Sequence, residues 1–133
     1  MTHVSRKKLS NQTEKEIISA LKSTFIKLAP KDVDRVFSAL ITETEQTMLA
    51  KRLVASVMLF EGATYEQVSN SLNLTEQTIS KIQFEMNSSQ NTYEFLYSKL
   101  TPWKRKELLK VILKDLGSKG LKLFAKHAGG RIS

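Results

Sequence analysis

Apolar positions recur every three or four residues along most of the chain, which is the spacing of one face of an α-helix. This spacing predicts a first helix over 13–28, a second from near Lys31 and a third over about 43–60. Thr13 with Glu16 forms a predicted capping box, and Gly62 is a natural stop for the third helix. Alternating patterns typical of strands are nearly absent. The sequence therefore predicts an all-α fold.

Two shorter helices joined by a tight turn are predicted over 64–87. Thr64 and Gln67 have capping-box spacing, and Thr75 is a suitable N-cap for the second helix. Between them, Asn73 tolerates the left-handed conformation that a helix end often needs. The inward positions of the pair are Val68, Leu72, Ile79, Ile82 and Met86. This arrangement is typical of a helix-turn-helix.

The outward side chains of the second helix have chemistry suited to DNA. Gln77 can pair with an adenine edge, Thr78 and Ser80 can bond to bases or phosphates, and Lys81 can bond to phosphate or guanine. An ordinary helical hairpin with a solvated polar face would show the same pattern. Both interpretations stay open at this point.

Three stretches upstream contribute to a resemblance to a known family. They are Leu40–Glu45 at the entry of the third helix, Met48–Leu53 in its middle and Glu61-Gly62 at its end. With Thr75 and the run Thr78–Lys81, this order resembles the tryptophan-repressor-like superfamily over about residues 33–87. The resemblance implies a Trp-repressor-like helical bundle that forms an intertwined homodimer, because the N-terminal helices of two subunits interlock in that family. It also implies a regulator that binds double-stranded DNA.

The resemblance and the outward positions together give a set of candidate DNA-binding residues. Thr64, Tyr65 and Ser69 belong to the first helix of the helix-turn-helix and would touch the DNA backbone. The others belong to the second helix, which would be the recognition helix. The set is Thr64, Tyr65, Ser69, Glu76, Gln77, Thr78, Ser80 and Lys81.

A vestigial effector pocket is also implied by the resemblance. Arg52 matches an arginine that helps to hold the corepressor in the family's tryptophan-binding members, and Thr78 and Lys81 complete the pocket. Lys81 stands where the family has an arginine that stacks on the indole, and Ile82 stands where a glycine leaves room for it. Lysine stacks less well than arginine. The sequence therefore predicts neither tryptophan nor another small-molecule effector, and no cofactor.

The formal net charge of +8 suits an anionic partner, but the charge is unevenly placed. Residues 1–62 hold ten Lys and Arg against seven Asp and Glu, and residues 93–133 hold ten against three. Residues 63–92 hold one, Lys81, against three glutamates. The predicted recognition helix is thus in a net acidic segment. Much of the electrostatic attraction to DNA must therefore come from elsewhere in the chain.

The chain divides into a basic arm over 1–12, a Trp-repressor-like domain over 13–87 and a basic helical extension over 88–133. The arm is either a solvated tail or a segment that follows the DNA backbone or minor groove. The extension restarts at Thr101-Pro102 and ends in a segment over 118–130. It could clamp DNA, lie on a membrane surface or cap the dimer, and Trp103 is predicted to anchor a core or an interface.

Other functional classes have little support in the sequence. The chain has no cysteine, and His3 and His127 have no metal-binding neighbours, so no metal site is predicted. No phosphate loop or nucleophile motif appears, and we do not expect an enzyme. No apolar run predicts a membrane span or signal peptide, which favours a cytoplasmic, nucleoid-associated protein. The remaining alternative is a helical protein-interaction module that keeps the helix-turn-helix shape.

Overall fold

The computed structural model describes residues 8–89 and 91–114, and all regular elements in these ranges are α-helices. The predicted all-α class is confirmed for this part of the chain. The elements are α1 (Asn11–Ile26), α2 (Pro30–Leu40), α3 (Glu43–Phe60), α4 (Tyr65–Leu72), α5 (Glu76–Ser88), α6 (Thr92–Lys99) and α7, helical over 102–114. The predictions for most of the basic arm, both histidines and the segment over 118–130 lie outside the described residues.

The first helix begins two residues before the predicted start because a different side chain caps it. Ser10 Oγ accepts a hydrogen bond from the backbone N–H of Thr13 at 3.2 Å, so helical geometry starts at Asn11. The predicted Thr13 cap is therefore wrong. The helix also ends earlier, at Ile26, before the extended residue that precedes Pro30.

A reciprocal pair of hydrogen bonds starts α3 at its predicted position. The backbone N–H of Thr42 donates to Glu45 Oε1 at 2.9 Å, and the backbone N–H of Glu45 donates to Thr42 Oγ1 at 3.1 Å. The hydrogen bond from the Thr42 backbone stabilises the carboxylate and lowers the pKa of Glu45. These contacts satisfy donors that every helix N-terminus leaves unpaired.

The chain forms two compact units that divide within α3, between residues 48 and 49. In the first unit, no described residue is buried. The apolar stripe of α1 is about half exposed, with Ile17 at 52% and Leu21 at 46%. Met48 at the end of this unit is also exposed.

The second unit contains the hydrophobic core. Met58 of α3, Val68 of α4 and Ile79 of α5 are fully buried, and Ile82 and Leu109 are almost so. Leu109 belongs to α7, so the described part of the predicted extension packs into the same core as the α4–α5 pair. The sequence alone did not show whether the extension packs on the core, clamps DNA or lies on a membrane surface.

A polar and aromatic cluster attaches α6 to the end of α3 and the start of α7. Tyr97 Oη donates to Glu61 Oε1 at 2.8 Å, and the Tyr97 and Phe60 ring centroids are 4.9 Å apart. Arg105 lies over the Tyr97 ring at 3.9 Å and donates to the Tyr97 carbonyl at 3.0 Å. Burial, followed by the hydrogen bond to Glu61, raises the pKa of Tyr97.

Trp103 does not contribute to the core of a single chain, because 68% of its surface is exposed. The predicted role as a core anchor is therefore wrong within one chain, and the role at an interface stays a prediction. Among the described helices, none combines the length and the hydropathy needed to cross a membrane.

Candidate nucleic-acid interface

The start of α4 is fixed by the predicted capping box. Gln67 N donates to Thr64 Oγ1 at 3.1 Å, and Thr64 N donates to Gln67 Oε1 at 2.8 Å. Thr64 is exposed at this end and Tyr65, the first helical residue, is half-buried. The capping box therefore fixes Thr64 at the N-terminus of α4, with Tyr65 as the next residue.

The turn between α4 and α5 uses the predicted left-handed residue. Asn73 has φ 55° and ψ 50°, and the backbone N–H of Leu74 donates to the Ser69 carbonyl at 3.3 Å. Ser69 Oγ donates to the Leu74 carbonyl at 2.6 Å. The Ser69 proton is therefore engaged inside the turn, and a contact to phosphate would cost this hydrogen bond.

Replacing Asn73 with alanine is expected to destabilise the protein by about 1 kcal/mol, because a left-handed conformation costs a residue with a Cβ roughly 1–2 kcal/mol and asparagine tolerates it better. Urea denaturation followed by circular dichroism measures this loss. Asn73→Gly is the control, since glycine adopts this conformation without steric cost. Equal midpoints for the alanine variant and the wild type would contradict the expectation.

The first turns of α5 present polar side chains to solvent while its other face is locked in the core. Thr75 Oγ1 accepts from the backbone N–H of Thr78 at 3.2 Å, which confirms the predicted cap. Thr78 is half-buried, and the remaining candidate residues of this helix are exposed. They are Glu76, Gln77, Ser80 and Lys81.

Phe84 lies on the same exposed side of α5 and was missed by the sequence reasoning. It follows Gln77 by two helical turns and Lys81 by three residues, so the three side chains share a direction. Its ring is 71% exposed. The helical spacing from Gln77 was the signal that could have identified it.

The three residues of the predicted effector pocket line one surface cavity of about 550 Å³. Arg52 of α3 joins Thr78 and Lys81 of α5, and Phe84 and Glu85 form further parts of the wall. Ile82 also lines the cavity but is only 2% exposed, since its side chain packs in the core. The carboxylate of Glu85 adds an acidic group to a wall that contains two cations, Arg52 and Lys81.

A second surface cavity, of about 760 Å³, lies where α7 meets α3 and the α4–α5 turn. Sequence reasoning did not identify it because it depends on how α7 packs. Its lining residues come from three separate parts of the chain: Lys51, Ser71, Leu72, Asn73, Val111, Ile112 and Lys114.

Neither cavity has the donor set of a metal site, and the described residues contain no cluster of acidic or histidine side chains that could hold a metal ion. Comparison of the chain with protein-family models, characterised proteins and solved structures finds no match.

Proposed function

We propose that the chain is a dimeric transcription regulator with a Trp-repressor-like fold that binds DNA sequence-specifically through a helix-turn-helix formed by α4 and α5. The observation that carries the proposal is the exposed polar side of α5 beside a core-locked inner face. The side chains of Gln77, Ser80 and Lys81 make no hydrogen bond or ion pair with any residue in the described ranges. Their polar groups are therefore available to a ligand.

In this proposal the N-terminal half of α5 enters the major groove, as recognition helices do. Gln77 offers both a donor and an acceptor, which suits the N6 and N7 atoms of adenine. Ser80 and Lys81 add contacts to bases or phosphates. Thr64 and Tyr65, at the start of α4, meet the backbone and set the register of the helix on the duplex.

The exposed apolar side chains of α1, in the first compact unit, support the proposal of a dimer. Ordering a helix costs about 1–2 kcal/mol per residue, and apolar burial is the main term that offsets it. The 16 residues of α1 bury no side chain within one chain. A second copy that covers Ile17, Ile18 and Leu21 supplies this burial, and its symmetry matches two DNA half-sites about one helical turn apart.

The proposal is tested by selecting bound sequences from a randomised duplex pool and titrating the enriched site by fluorescence anisotropy. Replacing Gln77 with alanine is expected to weaken binding to that site about 5- to 150-fold, the equivalent of ~1–3 kcal/mol for one bidentate base contact. Binding to random duplex should stay unchanged. Gln83→Ala is the matched control, because Gln83 lies on another side of α5 and donates to Asn87 at 3.3 Å.

If Gln77→Ala binds the enriched site as tightly as the wild type, Gln77 does not contact a base. A pool without any enriched sequence would contradict specific DNA binding itself.

The second candidate function is a protein-interaction module, and the charge of the α4–α5 pair favours it. Lys81 stands against Glu66, Glu76 and Glu85, and the exposed Phe84 ring adds an apolar group to the same side of α5. The titration separates the two functions. A module of this kind would leave random and selected duplexes unbound even at low salt, where phosphate contacts are strongest.

A further inference from the structure

The α4–α5 pair has too little positive charge to hold a DNA backbone alone. DNA affinity depends strongly on the number of phosphates that lysines and arginines neutralise. Within α4 and α5 there is one cationic residue, Lys81, and there are three glutamates. If this unit binds DNA, cations from other helices of the same unit must lie beside the pair.

Two lysines lie in such a position, in the wall of the second cavity. Lys51 comes from α3 and Lys114 from α7, and the same wall includes Ser71 and Asn73 at the end of α4. Lys114 is held near this place because Leu109, Ile112 and Leu113 of α7 pack into or against the core. We call this cavity the lysine groove.

Neither lysine of the groove forms an ion pair with a carboxylate among the described residues. In the described ranges the ion pairs are Asp32–Arg35 at 3.7 Å and Glu107–Lys110 at 3.9 Å. Lys51 and Lys114 belong to neither. Their charges therefore act together on a ligand in the groove.

A hydroxyl group in the wall gives a second indication of a ligand. Ser71 Oγ is shielded from solvent and has no hydrogen-bond partner among the described residues. A buried donor without a partner costs free energy, and most such groups in folded proteins are satisfied. Rotation about χ1 that turns the Ser71 hydroxyl toward the groove would let it donate to an anionic oxygen there.

We propose that the lysine groove binds a phosphate of the DNA backbone beside the α4–α5 turn, which makes α7 part of the DNA-binding unit. The inference rests on the proposed function. The ammonium groups of Lys51 and Lys114 attract the phosphate, and the apolar wall of Leu72, Val111 and Ile112 suits the adjacent deoxyribose. A wall of low polarity also strengthens the attraction between charges.

The salt dependence of DNA affinity measures this contact directly. Each neutralised phosphate contributes about 0.9 to the slope of log K against log salt. The variant K51Q/K114Q is expected to reduce the slope by about 0.9 per bound subunit, because the two lysines share one phosphate. The enriched sequence should stay the same, because phosphate contacts carry no base information.

Two further variants separate a local contact from changes in folding or total charge. K51R/K114R keeps both charges and should keep the wild-type slope. K15Q/K22Q removes the same charge from exposed positions of α1 and should leave the slope unchanged. Thermal unfolding followed by circular dichroism verifies that each variant is folded at the assay temperature.

The outcomes distinguish this inference from the proposed function. A wild-type protein that enriches no sequence contradicts the proposed function and removes the basis of this inference. A wild-type protein that enriches a sequence, with an unchanged slope in K51Q/K114Q, overturns the groove assignment alone. An equal change in K15Q/K22Q would also overturn it.

Titration with inorganic phosphate tests a free anion as the alternative ligand. Binding of phosphate that is lost in K51Q/K114Q, with no change in the DNA slope, would assign the groove to a small anion and overturn the inference.

Discussion

Replacing Ile79 with alanine is expected to lower the free energy of unfolding by about 3 kcal/mol. Large-to-small substitutions at buried isoleucines cost roughly 2–5 kcal/mol because they remove apolar burial and leave a cavity. Ile79 has no exposed surface and belongs to the core cluster of Met58, Val68 and Ile82. Domains are stable by only about 5–15 kcal/mol, so this loss is a large share of the total.

Urea denaturation followed by circular dichroism measures the effect, with the midpoint as the readout. Phe84→Ala is the matched control on the same helix, since its ring is 71% exposed. Exposed positions usually change stability by less than about 0.5 kcal/mol. Similar midpoints for the two variants would contradict the assignment of Ile79 to the inner face of α5.

The sequence predicted the local features of the α4–α5 pair well. Thr64 with Gln67, the left-handed Asn73 and the Thr75 cap are all found in the structure. Each depends on groups a few residues apart, so the residue types and their spacing nearly determine the geometry. The same logic failed at α1, where Ser10 and Thr13 could both cap a helix and only Ser10 does.

Features that depend on distant parts of the chain were beyond sequence reasoning. The Glu61–Tyr97 hydrogen bond joins residues 36 positions apart, and the lysine groove requires α7 to pack beside the α4–α5 turn. Hydrophobic spacing showed that α7 has an apolar face, but it did not identify the surface that covers this face. The two lysines of the groove carried no local signal for the same reason.

The same limit applies to α1, whose apolar positions at helical spacing predicted a helix with one apolar face. Within one chain its members stay partly exposed, because periodicity shows only that a face is apolar and does not name its partner. The stripe contains Ile17, Ile18, Leu21 and Phe25, and Phe25 is its half-buried member. If a second copy of the chain covers this stripe, a charge at Leu21 should disrupt the dimer.

Replacing Leu21 with glutamate is expected to convert the proposed dimer into a monomer. A charge buried in an interface without a counter-ion costs about 3–5 kcal/mol, which raises the dissociation constant by at least about 100-fold. Sedimentation velocity at micromolar concentration measures the change in mass. Affinity for a two-half-site duplex should fall toward that for a single half-site, because each monomer then binds alone.

Ser19→Glu is the control for this variant, because it adds the same charge to the opposite side of α1, where Ser19 is exposed. It should remain dimeric. The core around Met58 and Ile79 lies in the other compact unit, so Leu21→Glu should retain the helical content of that unit. If Leu21→Glu sediments like the wild type, the stripe of α1 is not the dimer interface. If the wild type is itself monomeric, two-fold binding to a palindromic site is contradicted while recognition of one half-site by α5 is still open to test.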